Sequence, residues 1–143
     1  MGANSRLTIG VHSLAWMALH ERMGGEVATS EQIANSVNTN PVVIRRLLGE
    51  LRDAGLVESR RGAGAGWRLL RAPELITLAD VYDAVEDGPL QAMHHATPSQ
   101  NCPVGRGIRS ALGPVYDGVE DALRAQLART TVADVLRDSL AVR

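Results

Sequence analysis

Two helical patterns in this chain are joined by only three residues. Thr29-Ser30-Glu31-Gln32 forms a capping box ahead of Ile33, Ala34 and Val37, and Asn38-Thr39-Asn40 makes a tight turn. Asn40 then caps a second helix, with Pro41 at its first position, where a missing N–H costs nothing. That helix runs to Ala54 and stops at Gly55. Beyond it, Leu56-Val57-Glu58-Ser59-Arg60 alternates as a strand does. Arg61 to Gly66 is a glycine-rich turn, and Trp67-Arg68-Leu69-Leu70 resumes as a second strand.

The flanks complete the pattern. Leu7, Val11, Leu14, Ala15 and Ala18 recur at helical spacing over residues 6–22, ended by Gly24-Gly25. Ile9, His12, Trp16 and His20 form a second face on that helix. A helix apolar on two sides needs two partners, here its own domain and a second subunit. Thr77-Leu78-Ala79-Asp80 opens a helix to about Val85, and breakers such as Gly88-Pro89 and Thr97-Pro98 mark a loop. A long stripe follows: Ile108, Leu112, Val115, Val119, Leu123 and Leu127. Pro114 is expected to kink that helix or mark a restart. A last helix begins after Thr131.

The expected fold is mainly α with a small β-hairpin wing. Residues 4–86 are read as a winged helix-turn-helix and 87–104 as a loop carrying Cys102. Residues 105–143 are read as C-terminal dimerisation helices that hold a homodimer.

Composition narrows the function. The chain has 143 residues, 45% hydrophobic and none of them Phe, so its core must come from aliphatic side chains. The net charge of −1 hides a segregation. Residues 38–71 carry seven Arg against three acids, residues 72–138 five Arg against ten, and Lys is absent. A basic block in an otherwise acidic chain points to a localised phosphate-facing surface. One cysteine excludes an intramolecular disulfide and any metal site needing two thiolates from one chain. No apolar run approaches a membrane span and no signal peptide is apparent, so a cytoplasmic protein without membrane partners is expected.

Side-chain chemistry fits double-stranded DNA as the partner. On the helix from Pro41, the residues Ile44, Leu47, Leu48 and Leu51 face the core. Val42, Arg46, Gly49 and Asp53 point away, with Arg45 on the flank. The stretch Thr39, Asn40, Pro41, Val42, Arg45 and Arg46 is where base edges would be read. Arg donates two bonds to guanine, and Val42 suits a thymine methyl. Gly49 allows close approach of a DNA backbone. In the wing, Arg60, Arg61 and Arg68 surround Gly62, Gly64 and Gly66, a set suited to phosphates or a minor groove. Arg6 and the helix start at Ser30 are expected to add phosphate contacts. The Gly-x-Gly-x-Gly run leads into a strand and not a helix, which rules against a dinucleotide loop. Glu86-Asp87 and Glu120-Asp121 are sequence neighbours that do not face each other, and no catalytic constellation emerges. The expectation is a DNA-binding regulator and not an enzyme.

At these motifs the chain resembles the Rrf2 family of bacterial winged helix-turn-helix regulators. Asn4 to Thr8, Asn38 to Arg46, Ala54 to Val57, Gly62 to Leu69, Ile76 to Val81 and Cys102-Pro103-Val104-Gly105 carry the likeness. The Asn-Thr-Asn-Pro-Val-Val segment looks like the cluster-free, YwnA-like branch. The resemblance implies homodimers held by the long C-terminal helix, palindromic operators and, usually, repression. Cluster-binding members carry two or three cysteines in the loop after the fourth helix. This chain has only Cys102 there, so no iron–sulfur cofactor is expected. His12 falls where a cluster ligand from the partner subunit lies in the nitric-oxide sensor of the family. Cys102, His12 and His94 are therefore the candidates for sensing a redox or small-molecule effector. Zinc held by Cys102 with His12, His94 or His95 would require two subunits. Two other readings stand beside the DNA-binding one: a winged helix used for protein–protein contact, and an iron–sulfur or thiol redox sensor.

Overall fold

Helix α3 (Pro41–Asp53) buries Ile44, Leu47, Leu48 and Leu51 in the core of the computed structural model, which describes residues 4–142. Residues 1–3 and 143, the last closing the expected C-terminal segment, lie outside the described residues. Before it come α1 (Arg6–Arg22) and α2 (Ser30–Val37). After it come β1 (Val57–Arg60), β2 (Gly66–Leu69), a 3-10 turn (Pro73–Leu75), α4 (Leu78–Val85), α5 (Pro103–Leu127) and α6 (Val132–Ala141).

Local chemistry explains these boundaries. Thr29 and Gln32 close the capping box at α2, each side chain bonding the other residue's backbone N–H at 3.1 and 2.9 Å. Asn38 ends α2 in the left-handed conformation, φ 67°, which Asn tolerates better than most residues. Its N–H and that of Thr39 both return to the Ala34 carbonyl. Asn40 Oδ1 accepts from Val42 N at 2.8 Å and starts α3, with Pro41 in its first turn. The helix ends at Asp53, and Gly55 (φ 79°) turns the chain into the wing.

The wing is an antiparallel pair with Val57 opposite Leu69 and Arg60 opposite Gly66. Its base is joined to a third segment. Ala28 and Trp67 exchange two backbone hydrogen bonds of 2.8 Å. Gly66 is required there, because a Cβ would lie 2.8 Å from the Ala28 carbonyl oxygen. At the tip, Gly62 and Gly64 take positive φ values.

Two compact units emerge: residues 1–86 with 127–143, and residues 87–126. The expected segment 105–143 is thus divided, because α6 packs on α1 and buries Val132 and Leu136 within the first unit. The first unit's core is aliphatic, as the lack of Phe requires. Leu14, Ile33, Ile44, Leu48, Leu51 and Val57 are fully buried, each stabilising the fold by about 1.5–3 kcal/mol. Gly10 lets α1 approach α4, since a Cβ would sit 3.1 Å from Val81.

In the second unit, α5 is continuous through Pro114, so the expected restart does not occur. Pro114 and Ser110 are both exposed, where the loss of one helical hydrogen bond to the missing N–H costs least. The loop before α5 is ordered by Arg109, whose Nη2 donates to the carbonyls of His94 and Ala96 at 3.0 Å. Gly105 permits close packing, because a Cβ would lie 2.2 Å from the Ser99 oxygen.

Candidate nucleic-acid interface

The two faces of α3 separate cleanly. Ile44, Leu47, Leu48 and Leu51 are buried to 2% exposure or less, while Val42, Arg45 and Arg46 stand in solvent. Four apolar anchors at helical spacing fix the helix's rotation, and that rotation aims the arginines outward. Thr39, Asn40 and Pro41 form the leading end of the surface. A Cβ on Gly49 would meet only an Arg52 side-chain nitrogen at 3.8 Å, so the space outside it is open.

A groove of about 510 Å³ runs between the start of α2, the flank of α3 and the wing. Arg45, Arg52, Arg60 and Arg61 line it. Arg46, Arg60 and Arg61 make no ion pair among the described residues, leaving their charge available to an incoming anion. Three groups here escape sequence reasoning. Glu31 pairs with Arg45 at 3.3 Å. The Arg52 guanidinium lies 5.9 Å from the centre of the Trp67 ring. Ser59 lines the same groove. Trp67, the one aromatic residue in the wing, was the available signal for the second of these; the Glu31–Arg45 pair spans two helices and leaves no local pattern.

Two expected contacts are placed differently. Arg6 is half-buried, its Nε donating to the Val85 carbonyl at 2.8 Å and its guanidinium ion-paired with Glu50. It braces α3 against the end of α4 and is not presented to a phosphate. Arg68 pairs with Glu58 directly across the hairpin, which neutralises it. Ser30, at the start of α2, is 5% exposed and lines the groove. Gly62 and Gly64 lie at the exposed tip as expected.

The Rrf2 family profile, described as an iron-dependent transcriptional regulator, matches residues 3–138. The chain belongs to the Rrf2 family. The HTH-type regulator YwnA of Bacillus subtilis is 37% identical over 93% of this Rrf2 chain and 96% of its own. IscR of Cereibacter sphaeroides is 26% identical, covering 90% and 82% of the two chains. A crystal structure of a DNA-binding protein, 37% identical, superposes with a TM-score of 0.72 over 92% of this chain and 99% of its own. The fold is thus the winged helix expected, and this Rrf2 protein is a DNA-binding transcriptional regulator, not an enzyme.

An iron–sulfur group does not fit the residues present. The chain has one thiol, and no group of three His, Cys, Asp or Glu among the described residues is placed to hold a metal ion. The sensing candidates fall in different units. His12 Nε2 lies 2.9 Å from Ser36 Oγ, at the edge of an apolar cavity of about 530 Å³ between α1 and α6. Trp16, stacked on His20 at 4.9 Å, lines that cavity too. Cys102 is exposed just before α5, and the His94 ring lies against His95 at 4.6 Å. Among the described residues no helix is long and apolar enough to cross a membrane.

Proposed function

We propose that this Rrf2 protein binds a palindromic operator as a cytoplasmic homodimer and represses transcription. One observation carries the DNA geometry: a fully buried core face on α3 aims Arg45 and Arg46 outward beside the unpaired wing arginines Arg60 and Arg61. In this reading, residues 39–46 enter the major groove and the wing meets the backbone. Two half-sites lie about one helical turn apart. Residues 4–86, with α6 docked on them, are the DNA-binding domain.

The dimer reading is supported by α5. It buries none of its 25 residues, and Val115 and Val119 of the expected stripe are 57% and 42% exposed. Ile108, Leu112, Leu123 and Leu127 are half-buried beside them, and an apolar face of that length suits cover by a second copy. The open apolar cavity along α1 and α6 fits the second partner expected for α1.

Arg46→Ala is expected to weaken operator binding by about 1–3 kcal/mol, roughly five- to 150-fold, with the dimer intact. Unchanged affinity in a salt-controlled titration overturns the assignment of α3 as the reading helix.

A second reading, thiol sensing, draws on exposed Cys102. A regulator of similar fold, CymR of Staphylococcus aureus, has been crystallised in an oxidised form. In that reading, mild peroxide changes operator affinity in the native protein and leaves a Cys102→Ser variant unaffected. An equal response in both excludes Cys102 as the sensor.

A further inference from the structure

We propose that Glu31 is a positioning residue that withholds Arg45 from the DNA backbone, acting as a built-in brake on sequence-independent binding. The proposal rests on the reading of the α2–α3–wing groove as the DNA surface.

Among the described residues lining that groove, Glu31 is the one acid, set among four arginines. Its Oε1 lies 3.3 Å from Arg45 Nη1. The Glu31 side chain is 65% exposed and that of Arg45 49%, so no packing locks the pair and an arriving polyanion can reach it. Glu31 also sits in the first turn of α2, where a carboxylate answers the positive end of the helix. A phosphate that takes Arg45 must therefore displace a carboxylate that sits favourably at a helix start and already pairs with that arginine.

Non-specific binding is almost wholly phosphate contact, and its strength scales with the number of cations delivered. While Arg45 remains on Glu31, it is not delivered. Arg46, Arg60 and Arg61 are free of such pairs among the described residues, and Arg52 pairs with Asp53 outside the groove lining, so Arg45 is the groove arginine held by a groove acid. Arg45 leaves Glu31 only for an acceptor that outbids an exposed ion pair. Such pairs are weak, so the brake is mild and releasable.

The test uses the full chain and a mixed-sequence duplex spanning two half-sites, titrated from about 50 to 200 mM salt. Glu31→Gln is expected to bind about two- to fivefold more tightly, the range of an exposed ion pair. Its log K against log salt is expected to steepen by about 0.9, one further phosphate neutralised. Glu74→Gln, which removes an equal charge from the 3-10 turn, controls for net charge and should leave the slope unchanged. In an Arg45→Ala background the Glu31→Gln gain should vanish. A Glu31→Gln effect equal to that of Glu74→Gln, or one that persists without Arg45, overturns the brake while leaving DNA binding intact. A native protein showing no salt-dependent duplex binding overturns the underlying reading as well.

Discussion

Arg6 illustrates the difference between a residue's chemistry and its partner. An arginine at the start of a helix beside a basic block is a reasonable phosphate ligand, and nothing local argues otherwise. Its partners are Glu50, 44 positions away, and the Val85 carbonyl, 79 positions away. Pairings at such separations leave no trace in local periodicity. The surroundings of Ser30 and Arg68 were hidden for related reasons: burial and cross-strand register are set by the assembled fold. In contrast, Asn40, Pro41, Gly55 and Gly62 act through their own backbone preferences, and the sequence was sufficient for each. Arg6 and Glu50 are each about a third exposed, which moderates their contribution. Arg6→Ala should therefore lower stability by about 1–2 kcal/mol in denaturant unfolding. It should leave the salt slope of DNA binding unchanged; a slope reduced by about one would restore Arg6 as a phosphate contact.

The helices α4 and α6 begin side by side with the same device. Thr77 and Asp80 cap the first, Thr131 and Asp134 the second, each by a reciprocal pair of bonds between 2.9 and 3.1 Å. Between them, Leu78 N donates to the Thr130 carbonyl and Val132 N to the Ile76 carbonyl, both at 2.9 Å. The caps were legible because a Thr-x-x-Asp box is a four-residue pattern. The docking of α6 on α1 was not, since an apolar face does not specify what will cover it. Thr131→Ala should cost about 1 kcal/mol, read as a lowered thermal midpoint. The Thr131 backbone N–H, and then its hydroxyl, hold the Asp134 carboxyl below its usual value of 3.8. A depressed acid stabilises the fold above its unfolded value, and that contribution fades as pH falls from about 4 through the lower folded value. Asp134→Asn should flatten this part of the acid limb; an unchanged acid transition would show that the box does not couple to unfolding.

At the scale of the whole molecule, α5 buries none of its residues and is the helix on which assembly turns. The expectation of a homodimer came from the sustained apolar stripe, and the helix does leave Val115 and Val119 in solvent. Placing aspartate at both positions should shift the protein to monomers in sedimentation. It should also reduce operator affinity by tenfold or more, because two linked half-site contacts bind far better than one. A doubly substituted protein that remains dimeric would locate the interface elsewhere. The class of the protein was legible since a helix-turn-helix is compact in sequence. The groove that joins α2, α3 and the wing was only partly so, because its walls come from segments about 30 residues apart in the chain.

The wing is closely packed at one end and open at the other. At its base, Gly66 is wedged against the Ala28 carbonyl, and Trp67 donates its N–H to the Ala28 carbonyl and accepts from the Ala28 N–H. At its tip, nothing lies within 4 Å of where a side chain on Gly62 or Gly64 would begin. For protein engineering, this divides the hairpin into a fixed mount and an interchangeable head. Charge can be altered at positions 61, 63 and 65 while Gly62 and Gly64 keep their positive φ values, whereas a side chain at position 66 would collide with the Ala28 carbonyl.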